Sequence, residues 1–460
     1  PPVGPARWRP AAPHPGWPGV RDATAPAPSA PQPFLGPDPI LGGHGFPPFD
    51  EDCLTLNLWT PGTDAARRPV LVWIHGGGFV SGSGSLPIYA GDTFARNGDV
   101  VVVGLTYRIG PLGYLYPGGD EAGDSANVWF TDQLQALRWI RDNIAAFGGD
   151  PDNVTVAGQS GGAYSTAALA VHPVAGRLFH RAILQSPPLG LPLPTPDESL
   201  ERTAEFVRAA GVDTVGDMRA LPWEKLVEAT IAMFLTGAEW GKWRVPFLPV
   251  RDDATLARHP LTALVDGAAG DKEILVGWTG REATFAFGLD PQYADATRDQ
   301  VVRRLADAHG DRAEAAYDAY ADARPGAHPR DVLIDFVSDD LFRLPCRALA
   351  DARTNTEKPV WAYQFDYASL AYDGRLGATH CLELPFTFHN ADRWAHAPVL
   401  HGADPRVLDE LGAAMHRAWL AFVRTGDPNH DRLPHWPRYT APEPITMRFD
   451  TDTHTAPAVV

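Results

Sequence analysis

A β-branched run at 154–157 leads straight into Gly158-Gln159-Ser160-Gly161-Gly162. A short strand ending in G-x-S-x-G is a nucleophile-elbow pattern. Its serine stands on a sharp turn between strand and helix, with the oxygen projecting above the sheet. The glycines have a steric reason, because the turn crowds its neighbours and a Cβ two positions to either side would clash. The chemistry indicated is nucleophilic acyl transfer, and it obliges further groups. A base must take the serine proton, and a carboxylate must orient that base. Backbone N–H donors must meet the oxyanion, each worth roughly 100- to 1000-fold in rate. Alone, the five residues are equally a glycine-rich turn in a chain with 44 glycines.

His75-Gly76-Gly77-Gly78-Phe79 follows an apolar run at 70–74. This H-G-G-G pattern upstream of an elbow supplies oxyanion donors. Consecutive glycines let bare amides approach a substrate in dihedrals closed to other residues. A phosphate-cradling loop is the rival reading, but no Gly-Lys-Ser/Thr follows. The amides of Gly77, Gly78 and Gly161 are therefore the expected oxyanion hole.

The elements that must position these groups alternate. Apolar runs at 54–59, 70–75, 100–107, 154–157, 182–185, 274–278 and 360–365 predict strands, several continuous enough to be covered on both faces. Helical patterns lie between and after them, at 127–146 before Gly148-Gly149-Asp150-Pro151 and at 408–423 before Thr425-Gly426-Asp427-Pro428. Strands alternating with helices predict an α/β fold with a mostly parallel, doubly wound sheet. Residues 1–50, rich in Pro, Gly and Ala, read as an irregular arm whose Trp8, Trp17, Phe34 and Phe46 need somewhere to pack. The stretch of about 187–270 breaks the rhythm with a helix near 200–210 and an aromatic cluster at Phe234, Trp240, Trp243 and Phe247. It reads as a cap over the site or as a helical excursion with a private core, and the two are not exclusive. The whole of 1–460 is expected to form one domain.

With 44% hydrophobic residues, including 20 Phe, 14 Trp and 12 Tyr, a sizeable core is available. A net charge of -17 argues against nucleic acid and anionic membrane surfaces as partners, since both call for basic patches. Cys53, Cys346 and Cys381 are scattered and odd in number, so neither a disulfide scaffold nor a zinc site is expected. No apolar stretch is long enough to span a bilayer, and the first residues show no basic or apolar leader. A cytoplasmic monomer or homodimer without metal or organic cofactor, acting on a small molecule, is the expectation.

Glu51-Asp52-Cys53-Leu54-Thr55-Leu56-Asn57-Leu58-Trp59-Thr60-Pro61 resembles the E-D-C-L-x-L-N-x-W-x-P signature of type-B carboxylesterases, the family of cholinesterases and bacterial para-nitrobenzyl esterases. The likeness extends through Asp132-Gln133-Leu134, residues 143–151, the elbow, and Thr425-Gly426-Asp427-Pro428-Asn429. Pro1-Pro2-Val3-Gly4 is similar to a family segment that follows an N-terminal hairpin, which is not in this sequence. The resemblance implies an α/β-hydrolase fold and ester hydrolysis. It also implies the remaining triad members: Glu282 as the acid in Gly277-Trp278-Thr279-Gly280-Arg281-Glu282-Ala283, and His380 as the base in the H-x-x-E-x-P-F context of 380–386. The order Ser160, Glu282, His380 is nucleophile, acid, base. Glu383 would be a hydrogen-bonding partner within its loop.

Several residues depart from the family pattern. Gln159 stands where a glutamate is usual, which removes a charge beside the serine and argues against a preference for cationic esters. Gly161 replaces alanine, and Arg281 and Ala283 replace Asp and Gly, so the acid loop is expected to pair differently. Trp129 replaces glycine and either narrows a pocket or fills the core. Cys53 matches a family disulfide position, but 1–52 holds no partner, so a free buried thiol is expected. Cys381 beside the base is read as packing rather than as a nucleophile. Phe79, Gln159, Trp129, Trp240, Trp243, Phe285 and Phe287 are pocket candidates, each equally able to be core.

Overall fold

The computed structural model describes residues 2–458 apart from 35, 37, 44, 120–125, 237, 238 and 244. Nine strands form one sheet: β1 Leu56–Trp59, β2 Arg68–Ile74, β3 Val101–Leu105, β4 Gly149–Gln159, β5 Arg181–Gln185, β6 Glu273–Thr279, β7 Val360–Phe365, β8 Ile445–Phe449 and β9 His454–Pro457. Their spatial order is β1-β3-β2-β4-β5-β6-β7-β8-β9. The strands from β3 through β8 pair parallel, while β1 and β9 close the edges antiparallel.

The continuous apolar runs follow from this topology. Parallel strands alternate their side chains into two cores, one on each face. Thus β2 sends Val70, Val72 and Ile74 to one face, and Leu71 and Trp73 to the other. The helix Gly161–Val171 covers the first face with Ala163, Ala167 and Leu169. The helix Pro405–Thr425 covers the second with Met415, Trp419 and Phe422, and ends on Gly426 in the left-handed region. The stretch 187–270 holds helices Pro196–Ala209, Val215–Arg219, Trp223–Thr236 and Pro260–Val265. Its Phe206, Met218, Leu226 and Phe247 join the first core rather than a separate one.

Some boundaries differ from the sequence reading. The helix expected over 127–146 is Val128–Asn143, a tighter turn at Ile144–Phe147 follows, and β4 already begins at Gly149. Gly148 adopts φ +78 and reverses the chain there, so the glycines start a strand as well as stopping a helix. The last two strands lack an apolar run: both are short, and β9 lies at the sheet edge. In the N-terminal arm Trp8 is buried, and its indole N–H donates to Pro111 O at 2.8 Å. Trp17 and Phe34 instead stay 54% and 57% exposed. Among the described residues no helix is long and apolar enough to cross a membrane.

One buried ion pair joins the segment after β3 to the helix Val128–Asn143. The Arg108 guanidinium donates to both carboxylate oxygens of Asp132, at 2.8 and 2.6 Å, and the Arg108 amide donates at 3.2 Å. Burial raises the Asp132 carboxyl above its ordinary value, although Arg108 pulls it down. Removing one partner strands the other charge in the core. Asp132→Ala should therefore lose about 3–5 kcal/mol in chemical denaturation.

Candidate active site

The strand order reverses at β2, which has β3 on one side and β4 on the other. Loops leaving the carboxyl ends of β2 and β4 part there and open a crevice, the usual ligand position in such sheets. The H-G-G-G loop leaves β2 and the elbow leaves β4, with Ile74 and Gly158 in register.

Ser160 adopts φ +55, ψ −126, a conformation that costs an L-residue energy. It is held from both sides. Its amide donates to Gln185 O of β5, and its carbonyl accepts from Tyr164 N in the following helix, both at 2.9 Å. The glycine requirement is steric: a Cβ on Gly158 would lie 2.4 Å from Gly162 C, and one on Gly162 only 2.0 Å from Ile74 O. The β2 loop lies against the elbow, since a Cβ on Gly76 would be 2.6 Å from Gln159 O and 3.0 Å from Ser160 Cβ. Gly77 and Gly78 take φ +119 and +59. Among the described residues no group accepts a hydrogen bond from the amides of Gly77, Gly78 or Gly161. His75 itself is a supporting residue. It stacks on Tyr107 at 4.5 Å and donates from Nδ1 to Gly76 O, and burial lowers its pKa to about 4.

Glu282 and His380 meet above the next strands. Glu282 is fully buried, accepts from Thr279 N at 2.7 Å through Oε1, and lies 2.5 Å from His380 Nδ1 through Oε2. The two loops are tied together by Arg281 N donating to Ala378 O at 2.9 Å. The departures around the acid form their own anchor. Arg281 pairs with Asp331 at 2.8 Å and Asp335 at 3.5 Å in the helix Pro329–Ser338, and Ala283 N donates to Ser338 Oγ at 2.9 Å. Burial disfavours charge on His380, but Cys381 and the Glu282 carboxylate outweigh it and hold the imidazole well above 6.5.

The other nitrogen of His380 does not bond Ser160. His380 Nε2 is met at 3.2 Å by the Gln159 side-chain amide, and Ser160 Oγ has no hydrogen-bond partner among the described residues. Phe285 and Phe342 flank the imidazole, with ring centroids at 5.1 and 5.0 Å. Trp243 packs on Phe285 at 5.1 Å and reaches to within 3.5 Å of where a Gly78 Cβ would sit.

Of the pocket candidates, then, Trp243, Phe285 and Gln159 gather at His380, and the others pack among core rings. Trp129 is fully buried and stacks on Tyr114 at 5.2 Å. Phe79 is buried against Tyr114 and Tyr164, backing the elbow beneath Gly161. Trp240 and Phe287 pack on Tyr293 in a satellite core. Phe342 was missed because it sits in the π-helical turn Asp339–Arg343, whose sequence reads as ordinary helix. Glu383 bonds outside its loop, accepting from Gln185 of β5 at 3.4 Å, and burial pushes it up to about 7. Cys53 is a free buried thiol, as expected, and burial raises Cys381 above the ordinary thiol value although His380 pulls it down.

A family model described as the carboxylesterase family matches residues 1–458. A phenmedipham hydrolase of Pseudarthrobacter oxydans is 54% identical over 448 residues, 97% of this chain and 89% of that protein. A para-nitrobenzyl esterase of Bacillus subtilis is 35% identical over 465 residues, covering 98% and 89%. The crystal structure of a carboxylesterase from Geobacillus stearothermophilus superposes with a TM-score of 0.86 at 37% identity, over 99% of this chain and 91% of that one. The chain belongs to the carboxylesterase family and is an ester hydrolase of the α/β-hydrolase fold.

The core position of Trp129 has a measurable consequence. Trp129→Ala should cost about 3–5 kcal/mol of stability in denaturant titration, the range for truncating a large buried aromatic.

Proposed function

We propose that this chain hydrolyses small to medium, uncharged and partly apolar carboxylic esters through an acyl-enzyme on Ser160. The single observation that carries the reading is the buried Glu282–His380 pair, 2.5 Å apart, beside a serine on a strained elbow. In the first step Ser160 Oγ attacks the ester carbonyl carbon while its proton passes to His380 Nε2. Glu282 keeps the proton on Nδ1 and stabilises the imidazolium. The carbonyl oxygen, now an alkoxide, accepts from the amides of Gly77, Gly78 and Gly161. The tetrahedral species collapses, the C–O bond to the alcohol breaks, and Nε2 returns its proton to the departing oxygen. Water then repeats the sequence against the acyl-serine and frees the acid. The rings of Trp243, Phe285 and Phe342 near the imidazole favour uncharged, apolar groups. We read 1–460 as one domain and 187–270 as a cap, because Trp243 of that stretch touches Phe285.

Amide or carbamate hydrolysis, or acyl transfer to another acceptor, would use the same groups. The 54% identity to a protein named for hydrolysing phenmedipham keeps that reading in view. A panel of aryl esters, anilides, carbamates and phenmedipham, with competing alcohols, separates these activities by kcat/KM.

Ser160→Ala should abolish the burst of p-nitrophenol from an activated ester and labelling by a fluorophosphonate, with thermal unfolding unchanged. Turnover surviving that change would remove Ser160 from the mechanism. A second expectation concerns pH. The base must be neutral to accept a proton, and His380 is held above 6.5. The acid limb of kcat/KM should therefore have its midpoint above pH 6.5, with activity rising through it.

A further inference from the structure

Both nitrogens of His380 are occupied, and this constrains the imidazole. Nδ1 faces the Glu282 carboxylate at 2.5 Å and must carry a proton to donate to it. Nε2 faces Gln159 Nε2 at 3.2 Å, and an amide NH₂ only donates, so Nε2 must present its lone pair. Together these contacts favour, of the two neutral tautomers, the one with its proton on Nδ1. The surroundings leave little alternative, since Phe285 and Phe342 flank the ring and Gln159 is itself buried. Ser160 Oγ meanwhile has no partner among the described residues, so the base rests on its neighbour rather than on the nucleophile.

We propose that Gln159 is a positioning residue: its side-chain amide holds His380 as a neutral base between turnovers and yields Nε2 to Ser160 when substrate enters. The proposal rests on the reading of His380 as the general base. A glutamate at position 159 could only accept, and would favour the imidazolium, the form unable to start the reaction. A glutamine donates to the neutral ring and lowers its proton affinity, which opposes the pull of Glu282 on the other side.

The remaining titratable groups around the pair come from several elements. Cys381 and Glu383 lie on the histidine's own loop, while Tyr363 of β7 and Cys346 of the helix Leu344–Ala352 are groups that the Glu282 carboxylate raises. Burial raises both thiols and the phenol above their ordinary values. Arg281 is engaged with Asp331 and Asp335. Burial pushes Glu383 up to about 7. Any test must therefore hold Glu383 constant.

The test is the acid limb of kcat/KM for a neutral p-nitrophenyl ester, measured for the full chain and for Gln159→Met and Gln159→Glu. Each is prepared with Glu383 intact and with Glu383→Gln. Losing a net hydrogen bond to the neutral ring should move the limb up by about 0.5–1 pH unit in Gln159→Met. A carboxylate should move it up by more than 1 unit in Gln159→Glu. The shifts should be alike in both Glu383 backgrounds, and KM should change less than kcat. An unchanged or lowered limb in Gln159→Met overturns the proposal while fluorophosphonate labelling of Ser160 leaves the esterase reading standing. Loss of labelling in the unsubstituted chain overturns both. Should Gln159→Met fail to fold, nitrogen-15 NMR of histidine in the unsubstituted chain decides. The neutral Nδ1–H tautomer with a hydrogen-bonded Nε2 supports the proposal, and a bare or protonated Nε2 above the limb overturns it.

Discussion

The closest backbone approach in the site is the one on which the others depend. The elbow helix begins so near β2 that a Cβ on Gly162 would sit 2.0 Å from Ile74 O, and Gly158 faces Gly162 with no more room. Only glycine fits both positions. That proximity lets the chain turn from β4 into the helix within one residue, leaving Ser160 at φ +55 with its side chain at the apex. It also brings the loop after β2 against the elbow, where a Cβ on Gly76 would be 3.0 Å from Ser160 Cβ. Strain at Ser160 persists because the strand and the helix each grip it, through Gln185 O and Tyr164 N.

The parallel sheet then brings Glu282 and His380 together as the elbow presents Ser160. Strands pointing the same way deliver their following loops to one edge, so residues far apart in sequence converge. Glu282 follows β6, and His380 lies in the loop after β7. Their loops are cross-tied through Arg281 N and Ala378 O, and Arg281 anchors them to the helix Pro329–Ser338. The imidazole is buried between the rings of Phe285 and Phe342, with Glu282 at Nδ1 and Gln159 at Nε2. In such a buried site an amide and a carboxylate at position 159 would act in opposite directions on the charge of the imidazole.

Much of this was legible in the sequence, for a physical reason. The elbow, the glycine loop and the buried parallel strands are local patterns: a steric demand or a hydration preference imposes each on a few adjacent residues. Composition likewise carried the size of the core. The pattern was weaker where local chemistry allows two outcomes. Gly148-Gly149 both ends a helix and starts β4, and Trp17 and Phe34 are apolar yet exposed. The short strands β8 and β9 have no continuous apolar run, and both keep partly exposed positions.

By itself, then, the sequence determined the strand-and-helix alternation and the candidate nucleophile with its glycine loop, because those are properties of neighbouring residues. The likeness to a known family supplied Glu282 and His380. Only the tertiary structure decided which aromatics reach the base. Trp129 and Phe79 face inward among core rings, while Phe342 arrives at His380 from a π-helical turn with no sequence mark. It alone decided that Gln159, read as a neutral residue near substrate, spends its amide on the imidazole. The last contact joins side chains 221 residues apart, and the direction of all of them is set by packing, which no local pattern encodes.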